Sequence, residues 1–173
     1  MTPRLIAAAI LVFMGAAPAA AISLQSPDVK DGAPISKAQI YPRCGGRNVA
    51  PALAWQGAPA GTRSFVLTMI DTSVKPSLWS HWIVVDLPAT ATALAPGAPL
   101  PAPAKAISSN FGDAVYDGPC PPSGSGLHSY EITIWAMPDA TTAIGPDAKA
   151  SDVVAMLTRR SLVHATIAGT VTG

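Results

Sequence analysis

Hydrophobic positions recur with period two over Tyr130–Met137, which reads Y-E-I-T-I-W-A-M. That alternation predicts a strand with two distinct faces. His128, Tyr130, Ile132 and Ile134 share one face; Ser129, Glu131, Thr133 and Trp135 share the other. Short apolar runs at Ile22–Gln25, Phe65–Asp71, His81–Leu87 and Ala165–Val171 predict further strands. Within His81–Leu87, alternation groups His81 with Ile83 and Val85, opposite Trp82 and Val84. One segment reads as a helix. Ser151 is placed to cap it, Asp152 suits its first turn, and Arg159 and Arg160 suit its end. Val153, Val154, Leu157 and Ser161 fall near one side of it, and Pro146 forbids a much earlier start. Pro88–Pro103 holds five prolines and predicts an extended loop. Many short strands, one helix and Pro/Gly-rich connections imply a mostly β, β-rich α+β architecture built on antiparallel sheets.

Composition changes this picture mainly at the N-terminus. Met1–Arg4 carries one positive charge, Leu5–Ala16 is apolar or small throughout, and Ala19–Ala21 supplies an A-x-A site. These predict a signal peptide over residues 1–21, cleaved after Ala21, and a mature domain over 22–173. The apolar run is short and Ala-rich for a bilayer span, and no later segment could cross a membrane. No cysteine stands at the cleavage site, which argues against a lipoprotein. Without Arg4, ten basic side chains face ten acidic ones. A neutral chain lacks the clustered Lys and Arg of a nucleic-acid surface. Arg43 and Arg47, like Arg159 and Arg160, read as ordinary solvated positions. The two cysteines, Cys44 and Cys120, allow one intramolecular pairing in an exported protein. Neither has metal-binding spacing to another Cys or His.

The candidate chemistry lies in D-G-P-C-P-P-S-G-S-G-L-H-S-Y, Asp117–Tyr130. This stiff loop delivers His128 and Tyr130 to the start of a strand, where a pocket would sit. Three further stretches accompany it: C-G-G-R-N from Cys44, F-V-L-T-M-I-D ending at Asp71, and W-S-H-W-I-V-V-D around His81. In this order they resemble the phosphatidylethanolamine-binding protein family, or Raf-kinase-inhibitor-like proteins, in its bacterial branch. The resemblance spans nearly all of the chain after the first two dozen residues. It implies a sandwich of a large and a smaller antiparallel sheet with a C-terminal helix. It also implies a ligand pocket built from Asp71, His81, Gly118, Pro119, His128 and Tyr130, and it brings the loops of Cys44 and Cys120 close to that pocket, so that a disulfide between them is expected.

Those residues suit an oxyanion. Two imidazoles can donate hydrogen bonds, Tyr130 adds a neutral donor, and Gly118 would let an anion approach the backbone. Asp71 would orient an imidazole, raise its pKa, or accept from an ammonium. Trp79 reads as pocket rim, and His164 as surface or helix end. Two positions depart from the family pattern. Ser73 stands where a second acid is usual, and Ser129 where an Arg usually follows the His; together they could be one lost ion pair. The reading that results is a periplasmic or secreted, non-enzymatic protein with a small pocket for an anionic or phosphorylated headgroup-type ligand and no cofactor. An alternative is an inhibitor of a protease or other protein, acting through its surface. Asp71, His81 and His128 also resemble a 2-His-1-carboxylate set, but no G-x-S-x-G, H-E-x-x-H or P-loop is present.

Overall fold

The computed structural model describes residues 21–173. The signal peptide expected over 1–21 lies, but for its last residue, outside the described residues. Among the described residues there are eight strands: β1 (Ser23–Gln25), β2 (Leu53–Gln56), β3 (Ser64–Asp71), β4 (Trp79–Pro88), β5 (Ala93–Leu94), β6 (Lys105–Ile107), β7 (Leu127–Met137) and β8 (Val163–Thr172). One helix, α1 (Ala150–Arg160), precedes the last strand, and a short 3-10 turn spans Pro42–Cys44. The strands form a five-stranded sheet, ordered β6-β4-β3-β7-β8, and a three-stranded sheet, ordered β1-β2-β5. Every pairing of these strands is antiparallel.

The large sheet is covered on both sides, which explains why β3 is buried along its whole length. Leu67, Met69, Val84, Ile132 and Ile134 face the small sheet and pack with its Leu24, Leu53 and Trp55. Val66, Ile83, Val85, Trp135 and Met137 face the other way and pack against Val153 and Leu157 of α1. The alternation of β7 is therefore realised, with Ile132 and Ile134 on the small-sheet side and Trp135 on the helix side.

Three strands escape the sequence pattern. β2, β5 and β6 are two to four residues long, too short for a period to register, and owe their existence to their partners. The Pro88–Pro103 segment is accordingly not all loop, since Ala93 and Leu94 pair with Ala54 and Leu53. The helix also starts earlier than expected. Lys149, not Ser151, is its N-cap, without a side-chain bond, and Ser161 is its C-cap rather than part of a packed side. Burial of Ala150, Val153 and Leu157 sets the phase, so tertiary packing outweighs the capping preference of Ser151. His164 lies on β8, exposed, with its ring 4.6 Å from that of Trp135.

Candidate functional site

Asp71, the last residue of β3, pairs with Tyr130 of β7 on one side and Trp79 of β4 on the other. The three side chains form a row across the small-sheet side of the large sheet. His81 joins them by a different route. Met69 pairs with Trp82, and Ile70 with Ser80, which leaves His81 as the extra residue of a β-bulge. Strict alternation would have sent His81 to the helix side with Ile83. The bulge cancels that phase, and the imidazole meets the Tyr130 ring edge-on at 5.1 Å. The expected grouping of His81 with Ile83 and Val85 is thus corrected.

Asp71, Trp79, His81, His128 and Tyr130 line one cavity of about 320 Å³. Val74, Phe111 and the prolines Pro121 and Pro122 give it largely apolar walls. Gly118 and Pro119 stand behind the wall and do not line it. A Cβ at Gly118 would overlap the Gln39 carbonyl oxygen, its N–H donates to Asn48 Oδ1 (2.7 Å), and Pro119 O accepts from Tyr41 N (3.0 Å). The role expected for Gly118, admitting an oxyanion to the backbone, is therefore replaced by a structural one: it lets the 39–48 segment pack against the loop. The Cys44–Cys120 disulfide fastens the same two segments, with Cα atoms 5.5 Å apart, and Cys120 itself faces the cavity.

Hydrogen bonding decides what each side chain can offer a ligand. His128 Nδ1 contacts Asp71 Oδ2 at 2.6 Å, and its Nε2 contacts Ser125 Oγ at 2.9 Å. The other Asp71 oxygen accepts the Ser73 N–H. Ser125 Oγ also lies 2.6 Å from Pro122 O; with the serine proton donated there, His128 Nε2 donates to Oγ only when the imidazole is protonated, and in the neutral imidazole the serine proton turns to Nε2 instead. This Ser–His–Asp series orients His128. Both nitrogens of His128 are thereby engaged within the protein.

His81 donates Nδ1–H to Asp117 O (2.8 Å), and its Nε2 makes no hydrogen bond to the described residues. Burial holds its pKa below the usual value, against the opposing pull of the Asp117 carbonyl and of Asp71. His81 is therefore neutral at neutral pH, and its Nε2 presents a lone pair. Asp117 lies behind it with a pKa raised to about 6, first by burial and then by its hydrogen bond with Asp113. The Tyr130 hydroxyl is buried beside the Asp71 carboxylate without a well-formed hydrogen bond; burial, then the Asp71 charge and its contact with that carboxylate, pushes its pKa upward.

Arg43, read from the sequence as an ordinary solvated position, is exposed, but the sequence reading did not place it at the cavity. It lines the same cavity from the 3-10 turn, and no ion pair among the described residues uses it. Its position beside Cys44 was the available signal. The two departures from the family pattern, by contrast, lie in direct contact, with Ser129 N donating to Ser73 Oγ at 2.9 Å. A neutral hydrogen bond occupies the place of a possible ion pair. A larger cavity, about 500 Å³, opens beside the start of α1. Its polar groups bond one another, Ser80 to Asn110 and Ser108 to Asp147. Among the described residues, no group of three or more His, Cys, Asp or Glu side chains is placed to share a metal ion.

A family model described as phosphatidylethanolamine-binding protein matches residues 25–172. The chain belongs to the phosphatidylethanolamine-binding protein family. Within that family it is 33% identical over 173 residues to the Escherichia coli protein YbcL, covering 94% of each chain. It is 34% identical to an Aquifex aeolicus relative, over 81% of this chain and 82% of that one. A Mycobacterium tuberculosis relative named as a lipoprotein, LppC, is 38% identical over 72% of this chain and 60% of its own length. The crystal structure of E. coli YbcL superposes with a TM-score of 0.80 at 31% identity, covering 86% of this chain and 96% of that one. A Chlamydia trachomatis family homologue superposes with a TM-score of 0.74 at 27% identity, covering 88% and 97%.

Proposed function

We propose that this family member is a non-enzymatic binding protein of the periplasm or cell exterior, whose cavity takes a small anionic or phosphorylated headgroup-type ligand. The observation that carries the reading is the Tyr130 hydroxyl, buried at an apolar cavity without a well-formed protein hydrogen bond. An unpaired buried donor costs about 1–3 kcal/mol, and a ligand oxygen at that point would recover it. Asp71 and His128 are held by their hydrogen bonds, as a rigid recognition surface requires. The disulfide supports an oxidising compartment.

The test is calorimetric titration with phosphoethanolamine, inorganic phosphate and phenyl phosphate at pH 5.5 and 7.5. Saturable binding of a phosphorylated compound, recovered unchanged afterwards, is expected. Absence of binding by all three at both pH values would overturn the reading. Export is checked separately by N-terminal sequencing of the mature protein, which is expected to start at Ile22.

A further inference from the structure

We propose that Arg43 is the charge anchor of this cavity and determines its preference for an anion. The inference rests on the binding function proposed above and deepens it. With Asp71 ionised, the Asp71–His128 pair has no surplus positive charge in either state of the imidazole, and both its nitrogens are occupied. His81 offers a lone pair at Nε2, and Tyr130 offers a neutral hydroxyl. Among the cavity's lining residues, Arg43 alone carries a permanent, unpaired positive charge. A guanidinium presents a planar fork of donors that matches a phosphate or carboxylate edge.

The fold holds Arg43 in place. It is the middle residue of the Pro42–Cys44 turn, whose Gly45 closes it in the left-handed region at φ 78° with its N–H on Pro42 O. Cys44, next to it, is bonded to Cys120 of the opposite wall. Tyr41, before the turn, donates its N–H to Pro119 O and packs its ring, tilted by 33°, against Phe111 with centroids 5.3 Å apart. The arrangement also states a ligand class. An anion that lies between Arg43 and Tyr130, and still bears one hydroxyl or N–H for His81 Nε2, meets each group in the state described. A singly protonated phosphomonoester with an apolar substituent has that chemistry.

The experiment is titration of wild type, Arg43→Ala, Arg43→Lys and Arg47→Ala with phenyl phosphate at pH 6.0 and 8.0. Arg47 lies four residues on, outside the cavity, and removes the same net charge. Arg43→Ala is expected to weaken binding about ten- to a hundredfold, the loss of a charge-assisted contact, with its melting curve unchanged. Arg43→Lys recovers part of that loss, and Arg47→Ala binds as wild type. Binding weakens at pH 8.0, where the phosphomonoester loses its remaining proton (second pKa about 6) and with it the bond to His81 Nε2, but does not vanish, since an arginine stays charged. If wild type binds and Arg43→Ala binds equally well, the anchor role is overturned while the binding function stands. An equal loss in Arg47→Ala would also overturn it, because net charge would then account for the effect. If wild type binds nothing, both readings fall.

Discussion

Tyr130 brings a hydroxyl to a place where the protein offers it no well-formed hydrogen bond, with Asp71 beside it. Replacing it by Phe removes an unsatisfied polar atom and keeps the ring, which packs edge-on to His81. Tyr130→Phe should therefore leave stability unchanged or raise it by up to about 1 kcal/mol, while weakening phenyl phosphate binding severalfold. Denaturant unfolding and calorimetry on the one variant check both halves. A tyrosine kept only for packing would show no change in binding. His128 contrasts with it. Its two nitrogens are both used, so His128→Ala strands the buried Asp71 carboxylate and should lower stability by about 3 kcal/mol. Loss of affinity without loss of stability in that variant would mean that the histidine contacts ligand directly.

Among the elements, the segments that could be read in sequence are those whose side chains repeat often enough to show a period. β3, β7 and β8 were legible to within a few residues because each spans at least eight positions with one or two packed faces. β2 and β5 were not, because four residues and two cannot display a period, and their pairing is dictated from outside. The same reasoning separates the halves of the site. Asp71 and Tyr130 follow from the ends of legible strands. The orientation of His81 depends on one inserted residue in β4, which alternation cannot detect. The placement of Arg43 depends on a disulfide that spans 76 residues. That bridge also makes a prediction for the 3-10 turn and its partner loop. The Cys44→Ser/Cys120→Ser double variant should lose up to about 4 kcal/mol by the chain-entropy estimate. It should lose ligand affinity as well, because it frees both the Arg43 turn and the loop bearing Pro121 and Pro122. Titration at a temperature where the variant is still folded separates the two effects.

For the molecule as a whole, the two buried groups with shifted pKa values act on stability with opposite sign. His81 has a lowered pKa in the fold, so below pH ~6.5 the unfolded chain binds more protons and stability falls with acidification. Asp117 has a pKa raised from 3.8 to about 6, so between those values the folded chain binds more protons and stability rises with acidification. The second effect softens the first below pH 6. Asp117→Asn removes it and should steepen the loss of stability between pH 6 and 4, measured by urea unfolding at a series of pH values. An unchanged slope would show that Asp117 titrates normally. The cavity has a different kind of consequence. Apart from Phe111, its lining comes from three stretches of chain, at Arg43, at Asp71–His81 and at Cys120–Tyr130, which sheet pairing and the bridge bring together. Occupancy is thus a reporter of complete assembly, and a bound molecule clamps three remote segments at once. Added ligand should protect the amides of all three from hydrogen exchange together, to the extent set by its concentration over its dissociation constant.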